Sequence, residues 1–433
     1  MPVKLPTPNF QISHHTLENG LRVVISPDRS APVVGIAVLY DVGFRSEPEG
    51  RTGFAHLFEH LMFQGSVTLE KLEHFRYVES SGGMFNGSTH FDYTNYFEAL
   101  PSNALERGLF LEADRMRGPR ITEENLANQL DVVKNEIRVN VLNTPYGGFP
   151  WLYLPAVLFD TFANSHNGYG DFADLESATT EDARDFFQRY YAPGNAVLAV
   201  VGDVDVEATV AMIEKHFASI RKRRAPKRPG FGEPGLSAER HDTHDDPHAP
   251  IPAVAIGYRV PDPVGRLDDL LATQLLVEVL GEGDASRLQR RLVQQDGLVT
   301  DIAAYVGEFG DPFDERDPTA LTISAHYPPG SKLKKILRAI DEELARVAED
   351  GLESGELDRV RARQASVLVR DLDAVISRAL EFAKFELLHG RAELIAELPA
   401  RLAAVTDDDV RKAAAELRPE NRAVLELVAG GAK

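Results

Sequence analysis

The sequence predicts an α+β protein made of two similar α/β-sandwich domains joined by a linker. Three observations lead to this reading. Short strand-like apolar runs alternate with helix-period segments. The stretch 221–248 breaks that pattern with Arg221-Lys222-Arg223-Arg224, several Pro and Gly, and a His/Asp-rich end. Such a segment reads as a solvated linker, and nothing fixes its histidines in a metal-binding geometry. The two sides of it also repeat one layout. The run 31–38 leads into a helix, and so does 249–256. Thr180-Glu181-Asp182 precedes Pro193-Gly194-Asn195 and a strand, and Asp407-Asp408-Asp409 precedes Pro419-Glu420-Asn421 and a strand. The expected domains are 1–220 and 249–433, with 221–248 between them.

In the first half, 21–25 and 33–40 are expected strands, with Pro27-Asp28-Arg29-Ser30 turning between them. Helical periodicity covers 52–64, and further helices are expected near 68–80, 104–115 and 122–141. A strand is expected over 89–100. An aromatic, glycine-rich stretch covers 145–170, followed by a helix at 180–190 and a strand at 195–201.

Composition narrows the function. The 433 residues carry 47 Lys and Arg against 67 Asp and Glu, a formal net charge of −20. A chain this acidic has no general attraction to phosphate backbones or anionic lipid, so neither nucleic acid nor membrane is an expected partner. Cysteine is absent, which excludes disulfides, cysteine-ligated zinc, iron–sulfur clusters and thiol nucleophiles. No apolar run reaches the ~18 residues of a membrane span. Residues 1–16 show no secretory pattern, and a cytoplasmic location is the expectation.

The segment that carries chemistry is Gly53-Phe54-Ala55-His56-Leu57-Phe58-Glu59-His60-Leu61-Met62-Phe63. At about 100° per residue, His56, Glu59, His60 and Phe63 share one helix face, and Phe54, Leu57, Phe58, Leu61 and Met62 share the other. Imidazoles at positions i and i+4 sit one above the other and can reach one ion. A carboxylate between them can take a proton from water instead of ligating. Zinc suits such a nitrogen and oxygen site.

This His-x-x-Glu-His order resembles the inverted zinc motif of the inverzincins. With its flanking residues it resembles the pitrilysin-type metallopeptidases, closest to the two-domain subunits of the mitochondrial processing peptidase type. That resemblance implies a third ligand about 76 residues beyond the second histidine. Glu136 stands 76 residues beyond His60, within Val132-Val133-Lys134-Asn135-Glu136-Ile137. Gly83-Met84-Phe85-Asn86-Gly87-Ser88-Thr89 with Thr94-Asn95-Tyr96 resembles the family's substrate-binding edge strand, so Phe85 and Asn86 are expected to meet a peptide docked as an added strand. The resemblance further implies half of a clam-shell peptidase, one Zn2+ per chain, and Glu59 as general base.

Two positions depart from the family pattern. Gln129 stands where many members carry a second acidic residue behind the metal ligands, and it is expected to support the site without charge. In the second half, Val293 and Thr300 stand where single-chain and homodimeric members carry an Arg and a Tyr that grip the substrate carbonyl. A shifted register would offer Arg290 or Arg291 in that role. The resemblance therefore implies a heterodimer with a homologous subunit that supplies the pair. It leaves open an active homodimer and a non-catalytic core subunit of a larger assembly.

Overall fold

The computed structural model describes residues 8–430. Among these, the first half builds β1 (Ser13–Thr16), β2 (Arg22–Pro27), β3 (Val33–Tyr40), β4 (Met84–Thr89), β5 (Thr94–Pro101) and β6 (Ala196–Gly202). They form one sheet in the order β1-β2-β6-β3-β5-β4. The second half builds β7 (Arg240–Asp246), β8 (Ala253–Val260), β9 (Asp301–Val306), β10 (Thr319–His326) and β11 (Arg422–Ala429), ordered β7-β11-β8-β10-β9. The β2/β6 and β7/β11 pairs are parallel and the others antiparallel. Apart from β1, the two sheets match strand for strand.

The sequence repeat has a physical basis. The helices Thr180–Tyr190 and Asp407–Glu416 both open with a capping box, Thr179 with Asp182 and Thr406 with Asp409. In each, the threonine side chain accepts from a free helix N–H and the aspartate accepts from the threonine backbone. Each helix is followed by a tight turn, Pro193–Asn195 or Pro419–Asn421, into β6 or β11.

Strands β3 and β6 are buried almost end to end, because both faces of the sheet are covered. Alternate side chains point to opposite faces. Val34, Ile36 and Val38 join the core that also holds Phe54, Leu57, Phe58 and Leu61 of α1 (Phe54–Leu61). Ala37, Leu39, Ala199 and Val201 face Ala379, Phe382 and Ala383 of the helix Val375–His389, which belongs to the second half. Gly35 permits that approach, since a Cβ there would lie 2.9 Å from the Ile376 Cα. In return, Leu154 and Leu158 of the first half pack on Ala255, Ala320, Ala423 and Leu425 of the second sheet. Each half thus covers a face of the other's sheet.

Three local expectations change. The segment 221–248 is not all linker: 240–246 forms β7, paired with β11. It is an edge strand with mostly exposed side chains, so it carries no apolar alternation to read. The remainder is held against the protein through buried Phe231 and an Arg228–Asp317 ion pair at 2.6 Å. The strand expected over 89–100 begins later, as β5 at Thr94, because Thr89 ends the separate strand β4 and a turn occupies 90–93. The helix expected to 141 ends at Ile137 and widens into a looser turn, Arg138–Leu142. No helix among the described residues is long and apolar enough to cross a membrane.

Candidate metal centre

Helix α1 is short and its N-terminus is buried, so its free N–H groups need partners. Glu47 supplies them: its two oxygens accept from the Gly53 N–H at 2.9 Å and the Ala55 N–H at 2.7 Å. His166 braces the same carboxylate at 3.0 Å. Gly53 turns the chain into α1 with φ 77°. A Cβ at that position would lie 2.4 Å from the Tyr169 carbonyl oxygen, so glycine lets the 169–170 segment lie against the start of α1.

Leu57, Phe58 and Leu61 are fully buried in the first core, which turns His56, Glu59 and His60 toward the opposite side. Three further helices complete the surroundings: α2 (Glu73–Ser80), α3 (Leu105–Arg117) and α4 (Glu123–Ile137). The last of these carries Glu136 and is capped by Thr122, whose side chain accepts from the Asn125 N–H. Helices α1 and α4 pack together, and this places Glu136 beside the two histidines.

His56 Nε2 and His60 Nε2 are 3.3 Å apart. His60 Nε2 lies 3.4 Å from Glu136 Oε2, and His56 Nε2 lies 3.7 Å from Glu136 Oε1. Donors about 2 Å from one zinc at tetrahedral angles stand about 3.3 Å from one another, so this donor set fits the ion. Burial, and then the neighbouring His60, push the His56 imidazole down to about 4, which leaves it neutral with a lone pair available at pH 7. Burial works to raise the Glu136 carboxyl, but the His60 contact and the nearby imidazoles outweigh it and hold it below its ordinary value. Burial raises the Glu59 carboxyl, opposed in part by a 2.6 Å hydrogen bond donated by Thr89 Oγ1.

Gln129 is buried, and its amide NH2 donates to Asn128 Oδ1 at 2.9 Å. Phe85 packs among Phe63, His74 and Phe75, with ring centroids 5.8, 5.7 and 4.6 Å away. Asn86 is exposed on β4, which is the open edge of its sheet.

The second-half positions are not brought to this cluster as donors. Val293 packs against the second core. Thr300 Oγ1 donates to Asp301 Oδ2 at 3.0 Å and the His326 carbonyl at 3.1 Å. Arg291 pairs with Asp296 at 2.6 Å and Glu342 at 3.0 Å, and Arg290 lies 3.5 Å from Glu353.

One residue at the site was not singled out from the sequence. Tyr169 donates its phenolic hydrogen to Glu136 Oε1 at 3.0 Å, and its ring meets His56 edge-on at 5.1 Å. Trp151 packs behind it at 5.3 Å. Burial and the Glu136 charge push the phenol up to about 12, so it remains a donor. Its only sequence signal is its place in the aromatic, glycine-rich stretch 145–170.

Within a fold of two similar α/β halves, an imidazole pair, the Glu136 carboxylate and the Glu59 carboxylate thus come to one site. Two family profiles agree. "Insulinase (Peptidase family M16)" matches residues 22–146, and "Peptidase M16 inactive domain" matches residues 177–364. Together they span more than half of the chain, and the chain belongs to peptidase family M16. It is 29% identical over 374 residues to the zinc protease PqqE of Helicobacter pylori, covering 86% of this chain and 82% of that one. It is 25% identical over 420 residues to the uncharacterized zinc protease YmxG of Bacillus subtilis, covering 95% of this chain and 97% of that one. The crystal structure of a protease from Helicobacter pylori superposes with a TM-score of 0.88 at 27% identity, covering 97% of this chain and 100% of that one. The periplasmic protease PqqL from Escherichia coli shares the fold with a TM-score of 0.77 at 20% identity, covering 98% of this chain and 48% of that one.

Proposed function

We propose that this chain is the zinc-binding subunit of a metalloendopeptidase, with His56, His60 and Glu136 holding one zinc ion per chain. The observation that carries the reading is the spacing of their donor atoms, 3.3 to 3.7 Å, beside a half-buried Glu59 on the same helix as the two histidines. Zinc, when bound there, supplies Lewis-acid polarisation of the scissile carbonyl and lowers the pKa of water toward about 7. Glu59 takes the proton of the attacking water and hands it to the leaving amine. Its raised pKa favours both transfers, because a carboxylate closer to neutrality is a better base and a usable acid. Tyr169 holds Glu136 in place, and Gln129, buried on the same helix as Glu136, supports the ligand set. A peptide adds to the open edge of β4, where backbone hydrogen bonds give affinity and Phe85 and Asn86 meet its side chains.

The second half offers no Arg/Tyr grip at Val293 and Thr300, and Arg290 and Arg291 face carboxylates of their own half. We therefore propose a homologous partner subunit that supplies these donors. The fold match to PqqL, a chain about twice as long, supports an assembly of two such halves. The test is Glu59→Gln in the zinc-loaded protein with its partner. Zinc content and fold are expected to persist while hydrolysis falls to background, and retained hydrolysis would defeat the general-base assignment.

A further inference from the structure

Glu59 has one hydrogen-bond donor among the described residues, Thr89 Oγ1, at 2.6 Å. Thr89 ends β4, and the turn 90–93 follows at once. That turn is gripped by the second half of the chain. His90 Nδ1 lies 2.9 Å from Asp314 Oδ2, and its Nε2 lies 2.9 Å from Ser88 Oγ. The ring stacks on Tyr93 at 4.3 Å, and the Tyr93 hydroxyl donates to Asp314 Oδ1 at 2.8 Å. Asp92, in the same turn, accepts from the Arg316 backbone N–H at 2.7 Å. Asp314 and Arg316 both lie in the loop between β9 and β10.

The anchor is itself fixed. Asp314 is buried, and Lys384 of the helix Val375–His389 donates to it at 3.2 Å. Lys384 also contacts Asp311 at 2.5 Å and Glu381 at 2.9 Å. Burial alone would raise the Asp314 carboxyl, but His90 and Lys384 hold it well below the carboxylate range. A buried anion with this many partners does not drift, so it makes a rigid reference point for the turn.

We propose that the His90–Asp314 contact is a positioning pair through which the second half of the chain fixes Thr89, and through Thr89 the general base Glu59. The inference rests on the reading of Glu59 given above. It gives the second half a role in the site even though that half brings no donor to the substrate. A stitch that merely joined the halves could sit anywhere along their interface, as Arg378 with Asp28 does. The His90 contact sits one residue from Thr89, the donor to Glu59.

The test uses the full chain with Asp314→Asn, His90→Gln and, as a control on the same interface, Arg378→Gln. Crystal structures of all three are read for the Thr89–Glu59 contact. The contact is expected to be lost or split between rotamers in the first two and kept in the third. With the partner present, kcat is expected to fall about tenfold to hundredfold, the range for supporting residues, with KM changed less than about twofold. The double variant Thr89→Val/His90→Gln should lose no more than Thr89→Val alone, since coupled residues are not additive. An intact Thr89–Glu59 contact in both variants, or losses that multiply, would overturn the proposal. Asp314→Asn also weakens the surroundings of Lys384. His90→Gln leaves those carboxylates in place and carries the same expectations if the first variant unfolds. A wild-type chain that cleaves no peptide defeats the peptidase reading, while the crystallographic comparison still decides this one.

Discussion

The Tyr169 hydroxyl donates a 3.0 Å hydrogen bond to Glu136 Oε1, joining the glycine-rich stretch of the first half to the carboxylate of the donor cluster. The bond orients that carboxylate while its other oxygen, Oε2, faces His60. Supporting contacts of this kind commonly change metal affinity by about 10- to 100-fold. Tyr169→Phe is therefore expected to weaken zinc by about that factor, with the fold kept. Competition against a chelator of known affinity measures it, and an unchanged affinity would remove Tyr169 from the site.

Glu136→Gln takes away an anionic donor, so it should cost zinc at least as much as Tyr169→Phe does. Dialysis against a mild chelator followed by metal analysis reads the result. Full zinc retention would show that Glu136 is not a ligand.

A second buried cluster makes a prediction about stability. Glu98 and Glu112 are fully enclosed in one cluster with His74, whose Nε2 lies 2.7 Å from Glu98 Oε1, and the Glu112 carboxylate meets Arg115. The Arg115 guanidinium lies over the rings of Tyr96 and Phe63 at 4.4 and 5.0 Å. Breaking a buried pair on one side costs about 3–5 kcal/mol, because the remaining charge is stranded. Arg115→Leu should lose about that much in a urea titration near pH 7.5. A loss below about 1 kcal/mol would mean that the arginine does not neutralise the pair.

The same carboxyls set a pH dependence. Burial pushes Glu98 and Glu112 each up to about 7, partly opposed by Arg115. The folded state therefore binds more protons than the unfolded chain between about pH 4.5 and 7. Their contribution is present at the acid end of that window and is lost as pH rises through it. Glu98→Gln should flatten this decline, so its stability difference between pH 5 and pH 7.5 should be smaller than the wild-type one. Urea midpoints at the two pH values measure it, and an equal or larger difference would contradict the assignment.

Much of this was legible in the sequence because the signals are local. The spacing of His56, Glu59 and His60 sets one face of α1, and the two capping boxes announce matching helices in both halves. Glu136 required the family resemblance, since a glutamate on a helix is ordinarily solvated. What stayed hidden depends on chain segments meeting over long distances. Tyr169 reaches Glu136 only because Gly53 and Gly170 let two backbones touch. Strand β7 is an exposed edge without a pattern, and no local rule places the helix Val375–His389 on the sheet of the other half. The His90–Asp314 contact is hidden for the same reason, since its partners lie in different halves.

On the proposed reading this chain supplies zinc and base, and a homologous subunit supplies the grip on the carbonyl. Losing one oxyanion donor commonly costs ~10²–10³ in rate, so a chain lacking both should be nearly silent alone. The most direct measurement is the peptide hydrolysis rate of the zinc-loaded chain as a homologous subunit carrying the Arg/Tyr pair is titrated in. Activity is expected to rise to a plateau at about one-to-one stoichiometry and to be absent with Glu59→Gln. Full activity from the isolated chain, unchanged by the partner, would contradict it.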